Sequence, residues 1–206
     1  MISPATFAAF FSASLLLAIT PGPGILYVLT RSLAGGKREG ILSSLGTLVG
    51  GFLHVLAAGL GLSAILATSA VAYQGIRWVG AAYLVYLGIR MFRSREEGDD
   101  APAEAPKGNP FIQGIFTEVL NPKTALFFLS FIPQFVDAKA GSAFTQFLFL
   151  GTGSVLLNTS VDVIVALFAG PIGSRLLSSR KARVRQRRAT GAAMVGLGLY
   201  VAAHEG

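Results

Sequence analysis

Apolar residues along this chain fall into long unbroken runs, not into the alternation of a strand or the stripe of a surface helix. The runs cover residues 5–29, 41–68, 71–92, 111–136 and 143–169, with a shorter one at 189–203. A membrane-crossing helix needs about 20 mostly apolar residues, so the pattern predicts an all-α integral membrane protein of six spans. Between the third and fourth runs lies "RSREEGDDAPAEAPKGNP", residues 93–110, holding five of the ten acidic residues and three prolines. It has no apolar face to bury and reads as a linker. The chain thus divides into residues 1–92, the linker 93–110, and residues 111–206, with three spans on either side. An odd number of crossings reverses the chain, so the two halves are expected to be inverted repeats.

Two of the runs are interrupted by residues hostile to a helix. The first contains "TPGPG", Thr20 to Gly24, and the fourth contains "NPK", Asn121 to Lys123. Proline lacks an N–H and clashes with the carbonyl four residues back. Pro21 and Pro23 are therefore expected to release the carbonyls of Leu17 and Ile19, and Pro122 that of Glu118. Bare backbone groups cannot face lipid, so each break must face protein or a wet cavity. Gly22 and Gly24 are expected to supply torsions closed to other residues and close approach of a ligand. At about 1.5 Å per residue, both breaks lie about 15 Å from the same membrane edge, near the middle of the core. A lone proline is readily explained as a kink in a packed helix. Paired breaks at matching depth, in the helices that open the two halves, favour a site. Half-helix N-termini attract a carboxylate, and freed carbonyls attract an ammonium group or a cation. An amino acid carries one of each.

Short internal similarities run in the same order through both halves. "LGTLVGG" from Leu45 pairs with "LGTGSVL" from Leu150, and "GAAYLVYLG" from Gly80 with "GAAMVGLG" from Gly191. The Gly46–Gly50 spacing also suits close helix packing, within a chain or between chains.

Composition agrees with a membrane protein. The 206 residues are 52% hydrophobic and 13% charged, against about 25% charged in soluble domains. The first run is expected to be a span and not a signal peptide, because no Lys or Arg precedes it. The absence of cysteine excludes disulfides, thiolate metal sites and thiol redox chemistry. A net charge of +7 raises nucleic acid as a partner, but the charges are sorted by loop. Of the 17 basic residues, 14 fall in the loops after spans one, three and five; Arg77 and Lys139 lie on the other side, and Lys123 lies inside span four. That asymmetry places the three loops in the cytoplasm and both termini outside. The run "RKARVRQRR" is then a loop beside anionic lipid, not a nucleic-acid site.

The stretches "TPGPGILYVLTRSLAGGKREGILSSLGTLVGGFLHVLAAGLGLSAIL" and "FIQGIFTEVLNPKTALFFLSFIPQF" resemble the LysE/RhtB family of amino-acid exporters. The similarity runs over nearly the whole chain. It implies a bacterial inner-membrane protein that exports an amino acid or a close derivative, by antiport against protons and without a cofactor. It carries Pro21, Gly22, Pro23, Asn121, Pro122 and Lys123 over as binding positions, and Gly24 adjoins them. Many relatives bear an acidic residue near the position of Gly51, and its absence here favours neutral over dibasic substrates.

Four ionisable residues inside the spans complete the candidate chemistry. Lys123 is placed to hold a substrate carboxylate or a fixed counter-charge, unless it snorkels to the membrane edge. Glu118 meets Lys123 only if the break at Pro122 reorients them, and otherwise sits in a vestibule. Asp162 is a candidate for a coupling proton or a substrate ammonium group, or for a simple pair with Asn158 four residues back. His54 suits a proton relay or a hydrogen bond to a neighbouring helix. The alternative function is export of divalent metal ions or another small solute, for which His54, Glu118 and Asp162 are a thin ligand set.

Overall fold

The computed structural model describes residues 4–93, 108–137 and 140–169, with a few isolated positions beyond them. The described residues form helices joined by short turns. Helix α1 is Pro4–Ala18, α2 is Pro23–Thr68, α3 is Ala70–Arg93, α4 is Pro110–Val119, α5 is Pro122–Leu126 and α6 is Ala143–Leu167. A wide π-helical turn, Phe127–Phe131, and a 3₁₀ turn, Ile132–Phe135, carry the chain on from α5. Most of the predicted sixth run, 189–203, and most of the linker lie outside the described residues.

Prolines begin helices here; they do not kink them. Pro23, Pro110 and Pro122 each occupy the first turn, where a missing N–H costs nothing. Two of them follow an asparagine cap. Asn109 Oδ1 accepts from the N–H groups of Phe111 (2.9 Å) and Ile112 (3.3 Å), and Asn121 Oδ1 accepts from that of Lys123 (3.1 Å). Such caps satisfy donors that the first turn leaves orphaned.

Helix α2 is a hairpin of two arms, residues 23–35 and 37–68, folded at Gly36 (φ 78°, ψ −177°). That torsion is open to glycine and closed to most other residues. Arg31 Nη1 lies 2.9 Å from Glu39 Oε2, whereas eight residues of straight helix span about 12 Å. Helix α4 lies against both arms. Its start meets Tyr27, Arg31 and Gly46, and its end meets Gly24, Gly50 and His54. The arms are therefore antiparallel.

The second arm and α4 pack backbone to backbone. A methyl group on Gly114 would sit 2.6 Å from the Ser43 carbonyl oxygen, and one on Gly46 would strike that of Phe111. The predicted small-residue face thus serves contact within the chain. An aromatic core joins α1 to the turns after α5: the rings of Phe10 and Phe131 are 5.6 Å apart, and those of Phe131 and Phe135 4.8 Å. A smaller core sets Val28 and Leu29 against Val165 and Ala166.

By length and composition, α2 and α6 are each able to cross a membrane, and α4 with the segment Lys123–Phe135 makes a third candidate bent by 48°. The first predicted span is split between α1 and the first arm of α2.

Candidate functional site

The two proline breaks are joined by one side chain. Helix α1 ends at Ala18 because Pro21 cannot donate to Leu17. Lys123 reaches across from the first turn of α5, and its Nζ donates to the carbonyl oxygens of Leu17 (2.6 Å) and Thr20 (2.8 Å). The Leu17 carbonyl, which Pro21 denies its helical donor, and the Thr20 carbonyl, not that of Ile19, thus hold an ammonium group, and it is the protein's own. The lysine stands at the negative end of α1, where a cation is favoured. It does not snorkel along its own helix.

Glu118 is buried at the end of α4. Its Oε1 accepts from Thr124 Oγ1 (2.6 Å) and its Oε2 from Asn121 Nδ2 (3.1 Å). Carboxylate and ammonium therefore have separate partners and do not form a direct ion pair. The backbone carbonyl of Glu118, which Pro122 releases, lies 3.0 Å from His54 Nε2. A carbonyl only accepts, so that nitrogen carries a proton. His54 also stacks on Phe128, with ring centroids 6.0 Å apart.

The glycines of the first break make room instead of supplying unusual torsions. Gly22 is extended (φ −144°, ψ 178°), and neither it nor Gly24 has positive φ. A methyl group on Gly22 would sit 2.9 Å from Lys123 Cδ, and one on Gly24 2.6 Å from Glu118 Oε2. The expectation of special torsions is corrected on this point. What these residues provide is close approach to the two charged side chains.

Lys123 and Glu118 line one cavity of about 40 Å³ between α1, the second arm of α2, α5 and α6. Its walls carry the polar groups of Ser14, Thr47, Thr124, Ser154, Asn158 and Thr159, and the rings of Phe127 and Phe128. Ser14 Oγ is buried without a hydrogen-bond partner, a state that folded proteins seldom leave unresolved. Asp162 stands behind this wall, fully buried, with Oδ2 2.9 Å from Thr47 Oγ1. That hydroxyl is also 2.9 Å from the Ser44 carbonyl. Having one hydrogen, it donates to one of the two at a time.

Among the residues singled out in the sequence, Lys123 and Glu118 face the cavity. Asn121 caps α5 and ties Glu118, His54 holds the break, and Asp162 reaches the cavity wall through Thr47, not Asn158. Pro21, Gly22, Pro23, Gly24 and Pro122 shape the two breaks and are not among the lining residues. Among the described residues, His54, Glu118 and Asp162 do not gather into a metal-binding group. Sequence reasoning missed the hydroxyl residues. One signal was available: Ser154, Asn158 and Asp162 recur every four residues, which puts them on one face of α6.

It also missed Arg31, read as a loop charge. Arg31 is buried, donating from Nη1 to Glu39 (2.9 Å), from Nη2 to the Gly108 carbonyl (2.9 Å) and to Gln113 Oε1. Tyr27, beside it, donates to the Pro110 carbonyl (2.9 Å). The start of α4 is fastened to the α2 hairpin by this cluster.

Comparison with known proteins places this geometry in a family. The chain is 28% identical over 196 residues to an "Uncharacterized membrane protein" of Vibrio cholerae, covering 94% of this chain and 95% of that protein. It is 30% identical over 168 residues to a "Leucine efflux protein" of Enterobacter sp. (strain 638), covering 80% and 79%. It is 29% identical over 170 residues to a "Homoserine/homoserine lactone efflux protein" of Salmonella typhimurium, covering 82% and 80%. No solved structure matches the chain. The family described as "LysE type translocator" matches residues 15–205, and the chain belongs to it: a membrane transporter of the LysE/RhtB type, not an enzyme.

Proposed function

We propose that this protein exports a neutral amino acid or close derivative across the bacterial inner membrane, in exchange for protons. The observation that carries this reading is a polar cavity faced by both Lys123 and Glu118, at the meeting of two broken helices. A zwitterion needs one group of each sign. The names of the leucine and homoserine relatives support an amino acid as the solute. Gly51, in the cavity wall against Val155, leaves no second carboxylate for a dibasic side chain.

In this reading the protein is two inverted three-helix halves, residues 1–92 and 111–206, joined by a cytoplasmic linker, with both termini outside. A cavity of about 40 Å³ holds about three waters, so an amino acid enters only when the halves part. Rocking of one half against the other would open it to each side in turn. Asp162 would carry the coupling proton. When it is charged, Thr47 donates to it; when it is protonated it donates to Thr47, whose hydrogen turns to Ser44. The state of Asp162 is thereby read out at the cavity wall.

The test is efflux from cells loaded with mixed dipeptides, following each released amino acid by mass spectrometry. Faster release of one or a few amino acids is expected from cells with this protein. With Lys123→Ala at equal membrane abundance, that release should fall about tenfold or more, the effect of losing one charged contact of about 1.5–3 kcal/mol. Release unchanged across the whole panel would sink the amino-acid assignment.

A further inference from the structure

We propose that Lys123 is the resting occupant of the substrate's ammonium site, and that loading exchanges one ammonium group for another. This inference rests on the amino-acid reading above and gives the binding step of that same site.

The argument begins with the carbonyls of Leu17 and Thr20. Pro21 denies the Leu17 carbonyl its helical donor, the Thr20 carbonyl lies just before Pro21, and in this conformation Lys123 Nζ donates to both, at 2.6 and 2.8 Å. A substrate α-ammonium has the same charge and the same three donors as a lysine ammonium. It is chemically equivalent to the group already bound. Lys123 cannot leave alone without cost, because the Leu17 and Thr20 carbonyls would lose a charge-assisted partner. It can leave when another ammonium takes its place. The freed side chain then turns into the cavity it already lines and meets the carboxylate of the same incoming molecule.

A second observation points the same way. Ser14 stands on α1 three residues before Leu17, on the same helix face. It lines the cavity, is 3% exposed, and its Oγ has no hydrogen-bond partner. Two of the three donors of Lys123 go to the backbone beyond it. A substrate seated at the end of α1 gives Ser14 the partner it lacks. The exchange also sets selectivity. A carboxylic acid without an amine cannot displace the lysine, and an amine without a carboxylate brings the displaced lysine no new partner.

The experiment uses the full chain in lipid nanodiscs, with binding read by calorimetry. Lys123→Ala removes three carbons and the nitrogen, which n-propylammonium restores. We expect n-propylammonium to bind K123A at least about tenfold more tightly than wild type, and L-leucine or L-homoserine to displace it. Simultaneous binding of amine and amino acid by K123A would overturn the inference, since it would make Lys123 a fixed strut. In the wild type, 4-methylpentanoate should bind at least about 100-fold more weakly than L-leucine; affinities within about threefold would equally overturn it. This second arm decides the matter if K123A does not fold. If the wild type exports amino acids but K123A ignores the amine, the exchange falls and the exporter stands. If K123A takes the amine but no amino acid binds or moves, the ammonium site stands and the exporter falls.

Discussion

Asn121 performs two tasks with one amide. Its oxygen caps α5 and its nitrogen holds Glu118. Aspartate is as good a cap as asparagine, and alanine is worse by about 1 kcal/mol. If capping were the whole role, Asn121→Asp would be the milder change. The structure argues for the reverse, because an aspartate removes the donor to Glu118 and sets a second carboxylate beside it. Efflux measured at equal abundance should therefore fall further in Asn121→Asp than in Asn121→Ala. The opposite ranking would reduce Asn121 to a helix cap. The same scale explains the alternating glycines of "TPGPG". Their lack of a Cβ lets Lys123 and Glu118 lie against the first break, a reason that depends on what packs there and is invisible in the local sequence.

Among the elements, those that prolines start were the most legible. Proline's missing N–H acts locally, so the breaks at Pro21 to Pro23 and at Pro122 are placed by sequence, together with the carbonyls of Leu17 and Glu118. Which donors collect those carbonyls is a tertiary fact. Lys123 and His54 come from elements distant in sequence. Hydroxyl residues were illegible for a different reason. Ser32, Ser44 and Ser160 satisfy themselves on carbonyls four residues back, and nothing in their sequence separates them from Ser14. Arg31 looked like a loop charge because burial depends on the fold at Gly36. The glycine interface, by contrast, was legible as a pattern and yields a graded prediction. A methyl group at Gly46 would meet the fixed backbone of Phe111, whereas one at Gly61 meets nothing within 4 Å. Overpacking against backbone costs about 1–3 kcal/mol. Gly46→Ala should lower the thermal midpoint of the purified protein by several degrees, and Gly61→Ala should leave it unchanged or raise it slightly. Equal midpoints for the two would remove α2–α4 contact as a source of stability.

At the scale of the whole molecule, the arrangement in the membrane follows from the charge pattern and can be tested without disturbing the site. The proposed topology puts the Gly36 turn inside, the Ser69 turn outside, and the turn before α6 outside. Arg31 bears on this. Its cluster with Glu39, Gly108 and Gln113 ties the first inside turn to the end of the linker, so both must lie at the same membrane face. Because the chain contains no cysteine, any introduced thiol is the sole target for a maleimide. In intact cells stripped of their outer membrane, an impermeant maleimide should label Ser69→Cys and Ala140→Cys. Lys37→Cys should react only after the membrane is opened. Labelling of Lys37→Cys from outside would invert the proposed orientation. Labelling of Ala140→Cys and Ser69→Cys from opposite sides would be more damaging. The two halves would no longer be related by inversion, and the shared depth of their proline breaks would lose its meaning.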